Sequence, residues 1–160
     1  MNKKIIAFDM DGTIADLYAD PFWLPKLRSY DPTPYANAKP LVDMTLLSKY
    51  LQLCQEQGWE IYVISWLSKE STPAYDKAVI EAKMAWLQEH LPTVHFNAVH
   101  LVSYGTPKSL LIPPSAKAIL FDDEYKNLTE FINSGKGSGI YPQYIFEILE
   151  GIICGAIFGG

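Results

Sequence analysis

Five polar residues stand where apolar runs end, and their types are those that handle charge and protons. Asp9 and Asp11 follow "KKIIAF", Ser65 closes "WEIYVIS", and Asp122 with Asp123 follows "AKAILF". Lys108 lies in "TPKSLL", between the later runs. Two carboxylates one residue apart can divide between attack on an electrophile and proton transfer. Crowding favours that division, because like charges raise the pKa of one member. Taken singly, an acid ending a strand is a turn or helix cap, a serine there is a cap, and a loop lysine is a solvated charge. The whole set, in this order, fits those readings poorly.

The elements that must position these residues can be read from the pattern. Ile5, Ile6, Ala7 and Phe8 form an apolar run without alternation, as in a central strand buried on both faces of a parallel sheet. Gly12 frees the backbone directly after the acids. Residues 42–57 read as an amphipathic helix with Leu46, Leu47, Tyr50, Leu51 and Cys54 on one face, stopped by Gly58. "WEIYVIS" is a second strand, and Thr72 or Ser71 with Pro73 opens a helix reaching His90. "AVHLV" and "AKAILF" are further strands, followed by a helix through Phe131 and a short strand at 139–141. Strands alternating with helices predict an α/β fold, a three-layer Rossmann-like, mostly parallel sheet. The C-terminal edge of such a sheet gathers its strand tips, so the five residues and Lys108 can converge there.

The 160 residues, 49% hydrophobic and 19% charged, suit a single domain at 1–160 with a small insertion. A net charge of −5 and the lack of a Lys/Arg cluster argue against a nucleic-acid polymer as partner. No signal peptide is legible, and the apolar tail at 144–160 is too short and too interrupted by Glu147, Glu150 and glycines to span a bilayer. A cytoplasmic location without membrane contact is the resulting expectation. Cys54 and Cys154 are expected to be buried free thiols. The tail is expected to dock on the sheet as a terminal helix or to form a partner surface.

"DMDGT" after an apolar strand resembles the first signature of the haloacid dehalogenase-like (HAD) phosphohydrolase superfamily. Ser65 resembles its second motif, Lys108 its third and "ILFDD" its acidic fourth, in the right order across most of the chain. "KMAWLQEHLP", "TPKSLL" and "FDDEYKNLTEF" are similar, more loosely, to the 5′(3′)-deoxyribonucleotidase branch. The resemblance implies a phosphomonoester hydrolase. Asp9 would attack phosphorus to form an aspartyl-phosphate, and Asp11 would protonate the leaving oxygen and then activate water. Mg²⁺ is implied, because four carboxylates and a phosphate dianion cannot share a cleft with only Lys108 for balance. Asp9 would bind the metal by its carboxylate and Asp11 by its backbone carbonyl. The family register favours Asp123 as the further ligand, with Asp122 nearer Lys108. Ser65 would donate to a phosphoryl oxygen with the backbone N–H of Trp66 or Leu67, and Lys108 would neutralise charge. A dehalogenase is disfavoured because such members lack a carboxylate at the position of Asp11.

Residues 16–41 fall where the superfamily inserts a cap, and here the insertion is short. Pro21, Pro25, Pro32, Pro34 and Pro40 exclude long helices, while Tyr18, Phe22, Trp23, Tyr30 and Tyr35 supply many rings. Phe22, Trp23 and Arg28 are the candidates for substrate contact, with Trp66 also at the mouth. The alternative is that these rings cover the sheet edge or make a subunit contact, as in a homodimer. The expected partner is a small phosphate ester, a nucleoside monophosphate on the looser match and a sugar or other phosphate otherwise. A HAD fold kept as a binding module is a further rival. A signalling receiver domain is excluded by motif order. His90, His95 and His100 lack metal-ligand spacing, Asn127 can bond locally, and "SGKGSG" lacks the full phosphate-loop pattern.

Overall fold

The first strand explains its own sequence once its two faces are traced. In the computed structural model, which describes residues 2–155, β1 (Lys3–Phe8) is the middle strand of a five-stranded sheet. Ile6 and Phe8 join a core with Leu47, Leu51, Trp86 and Leu149 on one side. Ile5 and Ala7 join Tyr62, Ile64, Leu120 and Phe131 on the other. Both faces are covered, so neither tolerates polar residues.

Along the chain follow β2 (Ala15–Asp16), α1 (Trp23–Arg28), α2 (Thr33–Ala36), β3 (Lys39–Pro40) and α3 (Met44–Glu56). Then come β4 (Glu60–Trp66), α4 (Pro73–His90), β5 (Ala98–Val102) and β6 (Ala116–Phe121). The series closes with α5 (Tyr125–Asn133), β7 (Gly137–Ile140) and α6 (Ile145–Ile153). The sheet order is β5-β4-β1-β6-β7, every pairing parallel. The expected α/β class and layered parallel sheet are therefore the observed ones. Because β4 and β6 flank β1 on opposite sides, the chain reverses its winding there, and a crevice opens beyond the β1 tip.

Local chemistry sets the boundaries. Asp43 caps α3 by accepting from the Leu46 N–H at 3.0 Å, and Thr72 caps α4 by accepting from the Tyr75 N–H. Phe8 stacks on Phe121 at 5.3 Å, worth about 1 kcal/mol beyond burial, and so ties the two acid-bearing strands together. The last strand starts at Gly137 rather than 139. Gly137 has φ +147°, and a Cβ there would collide with the Ala118 carbonyl, so only glycine lets β7 reach β6.

The proline-rich insertion forms two short helices, as its prolines require. Its ends are pinned together where β2 and β3 pair, Ala15 to Pro40 and Asp16 to Lys39. It is fastened to α4 by the Tyr75 hydroxyl donating to the Asp31 carbonyl (2.8 Å) and by the Trp86 indole donating to the Ala38 carbonyl (2.7 Å). Leu17 and Tyr35 complete a small apolar cluster with Tyr75 and Val79.

One expectation changes. Cys54 is buried, and burial pushes its thiol up to about 11, but Cys154 is exposed because it caps the end of α6. The tail forms a helix docked by Ile145, Leu149 and Ile152, and residues 156–160 lie outside the described residues. Among the described residues, no helix is long and apolar enough to cross a membrane.

Candidate active site

The tip of β1 ends in a tight turn. The Met10 carbonyl accepts from the N–H groups of Thr13, Ile14 and Ala15 at 3.0–3.1 Å, which throws Asp9 and Asp11 outward. Gly12 makes this turn possible with φ +81°, and a Cβ there would overlap the Asp123 carboxylate. Asp123 at the tip of β6 can thus come against the β1 turn.

Asp9 is held from both sides. Lys108 donates to its Oδ1 at 2.8 Å, and the Thr13 hydroxyl lies 3.0 Å from its Oδ2. Lys108, with 2% of its side chain exposed, also donates to Asp122 Oδ2 at 2.7 Å. Burial works against its ammonium charge, yet Asp9 and Asp122 outweigh burial and hold its pKa above the ordinary lysine value. Asp122 further accepts from Asn127 Nδ2 at 3.1 Å and from the Glu124 N–H at 2.9 Å, so both its oxygens are occupied. Asp123 is different: the Thr13 hydroxyl is 3.4 Å away, and among the described residues no lysine or arginine pairs with it.

That difference governs proton affinity. Burial, and next the Asp9 charge, push Asp122 up to about 6 against the pull of Lys108. Burial and the same Asp9 charge push Asp123 to about 8. Oxygens of Asp9, Asp122 and Asp123 lie within 4.8 Å of one another. Three crowded carboxylates, one raised this far by burial and its neighbours, have the donor chemistry that a hard divalent cation takes. The residues present therefore fit a hard divalent cation such as Mg²⁺, with Asp123 the carboxylate least engaged by other groups and Asp9 beside it.

The cation balance differs from the expected one. Lys83, in the middle of α4 and 1% exposed, donates to Asp11 Oδ2 (2.8 Å), to Ser65 Oγ (2.7 Å) and to the Trp66 carbonyl (2.8 Å). Its ammonium also sits 4.9 Å from the centre of the Tyr35 ring. With all four strand-tip carboxylates ionised, the two buried ammonium groups leave a formal excess of two negative charges, which one divalent cation would offset. Burial, opposed by Lys83, raises the Asp11 pKa. Lys83 escaped the sequence reading because a helical lysine reads as solvated. The signal was there: Val79, Ala82 and Trp86 place its position on the buried face.

The tips open on a cavity of about 880 Å³ lined by Asp9, Asp11, Lys108 and Asp123 at its floor. Trp23, Arg28 and Trp66 line it as well. Tyr18, Tyr30 and Tyr104 add rings, Tyr104 packing on Trp66 at 4.8 Å. Phe22 does not reach it: the ring is 62% exposed, outside the start of α1. Ser65 is fully buried behind the floor, against Lys83. The Leu67 N–H, a candidate phosphate donor, is committed to the Val102 carbonyl at 2.7 Å. The Trp66 indole donates to the Thr106 carbonyl, and its face lies 5.5 Å from the Lys108 ammonium. Glu130 also lines the cavity, with a buried Oε2 that lacks a partner among the described residues.

No protein-family model and no curated protein sequence matches the chain. Among solved structures, a D,D-heptose 1,7-bisphosphate phosphatase from Burkholderia thailandensis is similar in fold, with a TM-score of 0.52. The match covers 83% of this chain and 74% of that one at 15% identity, which carries the fold and nothing finer. The fold agrees with the HAD-like architecture that the motifs imply.

Proposed function

We propose that this protein is a HAD-type phosphatase, a divalent-cation-dependent hydrolase of a small phosphate monoester. One observation carries the reading. The Asp9 carboxylate is fixed at a central strand tip between Lys108 and Thr13, with Asp11 two positions on and Asp123 opposite, and all but Thr13 face one cavity. The fold likeness to a phosphatase is in keeping with it.

In the proposed reaction an Asp9 oxygen bonds to phosphorus as the ester P–O bond breaks, and Asp11 gives its proton to the departing oxygen. Water then attacks the aspartyl-phosphate, its proton passes to Asp11, and inorganic phosphate leaves. Lys108 orients Asp9 and neutralises charge on the transferring group. Asp9 and Asp123, with the Asp11 carbonyl, are the groups to hold Mg²⁺, which when bound supplies charge neutralisation on phosphoryl oxygens. The insertion at 16–41 acts as a roof over the substrate.

A small sugar or other phosphate ester is the broader substrate class. The rings of Tyr18, Trp23, Tyr30, Trp66 and Tyr104 around one cavity favour a nucleoside monophosphate within it, because bases stack on aromatic faces. The test is phosphate release from nucleoside 5′- and 3′-monophosphates and from sugar phosphates, with Mg²⁺ and with chelator. Mg²⁺-dependent release is expected, and the best ester chooses between the classes. Release that persists in chelator or in Asp9→Asn would overturn the mechanism.

A further inference from the structure

Lys83 has three N–H donors, and all three are used. The bond from Lys83 ties down Oδ2 of Asp11, a residue that lines the cavity, and so fixes how its carboxyl is turned. Ser65 Oγ accepts from Lys83, so its single proton must point elsewhere. Lys83 reaches this position from a helix otherwise packed by Val79, Ala82, Trp86 and Leu87, where an ammonium group is costly unless bonded on every side.

We infer that Lys83 is a positioning residue for the proton-transfer step, aiming the Asp11 carboxyl at the leaving oxygen. The inference rests on the phosphatase reading. It makes a sharp demand, because protonation matters only when the leaving group is a poor one. An alkyl phosphate departs as a strongly basic alkoxide and needs Asp11 well aimed. A 4-nitrophenyl phosphate departs as a stable phenolate and does not. Loss of Lys83 should therefore separate the two esters, whereas a scaffold role would slow both alike.

The experiment is rapid-quench measurement of the first turnover of the Mg²⁺-loaded protein with each ester, comparing wild type with Lys83→Met. The alkyl ester's first turnover is expected to fall about a hundredfold, in the range for loss of a positioned acid. The nitrophenolate burst should stay within about fivefold of wild type, with KM little changed for both. Lys83→Gln keeps two N–H donors without the charge and should show the same split more weakly; it carries the test should Lys83→Met not fold. Equal slowing of both esters in the folded variant would overturn the inference while leaving the phosphatase reading intact. A wild-type protein that releases phosphate from neither ester would overturn that reading and the inference with it.

Discussion

The floor of the cavity is made of charges tied to strand ends, with Lys83 and Lys108 bonded to Asp9, Asp11 and Asp122 at 2.7 or 2.8 Å. The roof is made of rings on short proline-bounded helices, held to the body by hydrogen bonds at its edges and by the apolar cluster of Leu17 and Tyr35 with Tyr75 and Val79. The floor leaves almost no alternative geometry, since each buried charge must keep its partner. The roof fixes only shape and ring positions. On the proposed function, chemistry and selection fall to separate parts of the chain, and they should fail differently.

The hardest blow to the floor is Asp9→Asn, which removes the attacking oxygen. Turnover should fall at least about a thousandfold on every ester, measured as phosphate release. Lys108→Met comes next, with kcat expected to drop about a hundredfold. A loss seen for only some esters in either variant would break the division between floor and roof. On the roof, Trp23→Ala should raise KM roughly threefold to tenfold for the best substrate, leave kcat near wild type, and spare esters too small to reach it.

The smallest effect is on stability. Asp122 at about 6 and Asp123 at about 8 keep protons in the folded, metal-free protein that the unfolded chain, with carboxyls at 3.8, has already released. Between those values the folded state binds more protons, so stability falls as pH rises, and the effect vanishes at acid pH where both states are protonated. The metal-free protein should therefore melt a few degrees lower at about pH 8 than at about pH 5, and Mg²⁺ should restore most of the difference at the higher pH. A melting temperature that rises over that interval would mean these carboxylates are not strained by their crowding.

The sheet was legible because burial on both faces leaves unbroken apolar runs, and Ala98–Val102 and Ala116–Phe121 fall where those runs lie. Asp9, Asp11, Asp122 and Asp123 were legible because acids at such ends have no packing reason to be there. Lys83 was not, since its partners come from three other segments and its own neighbours in sequence look like an ordinary helix. Ring placement was readable only in composition: Phe22 and Trp23 are adjacent, and a helix start turns one outward and the other inward. Tyr104 comes from a loop after β5 whose path no local pattern dictates.

Helix α4 carries both the residues that fasten the roof, Tyr75 and Trp86, and the lysine that braces the floor. Lifting the one would drag on the other. The height of the cavity and the aim of Asp11 therefore hang on one helix. Substitutions where Trp66 and Tyr104 meet would enlarge the cavity without touching that helix.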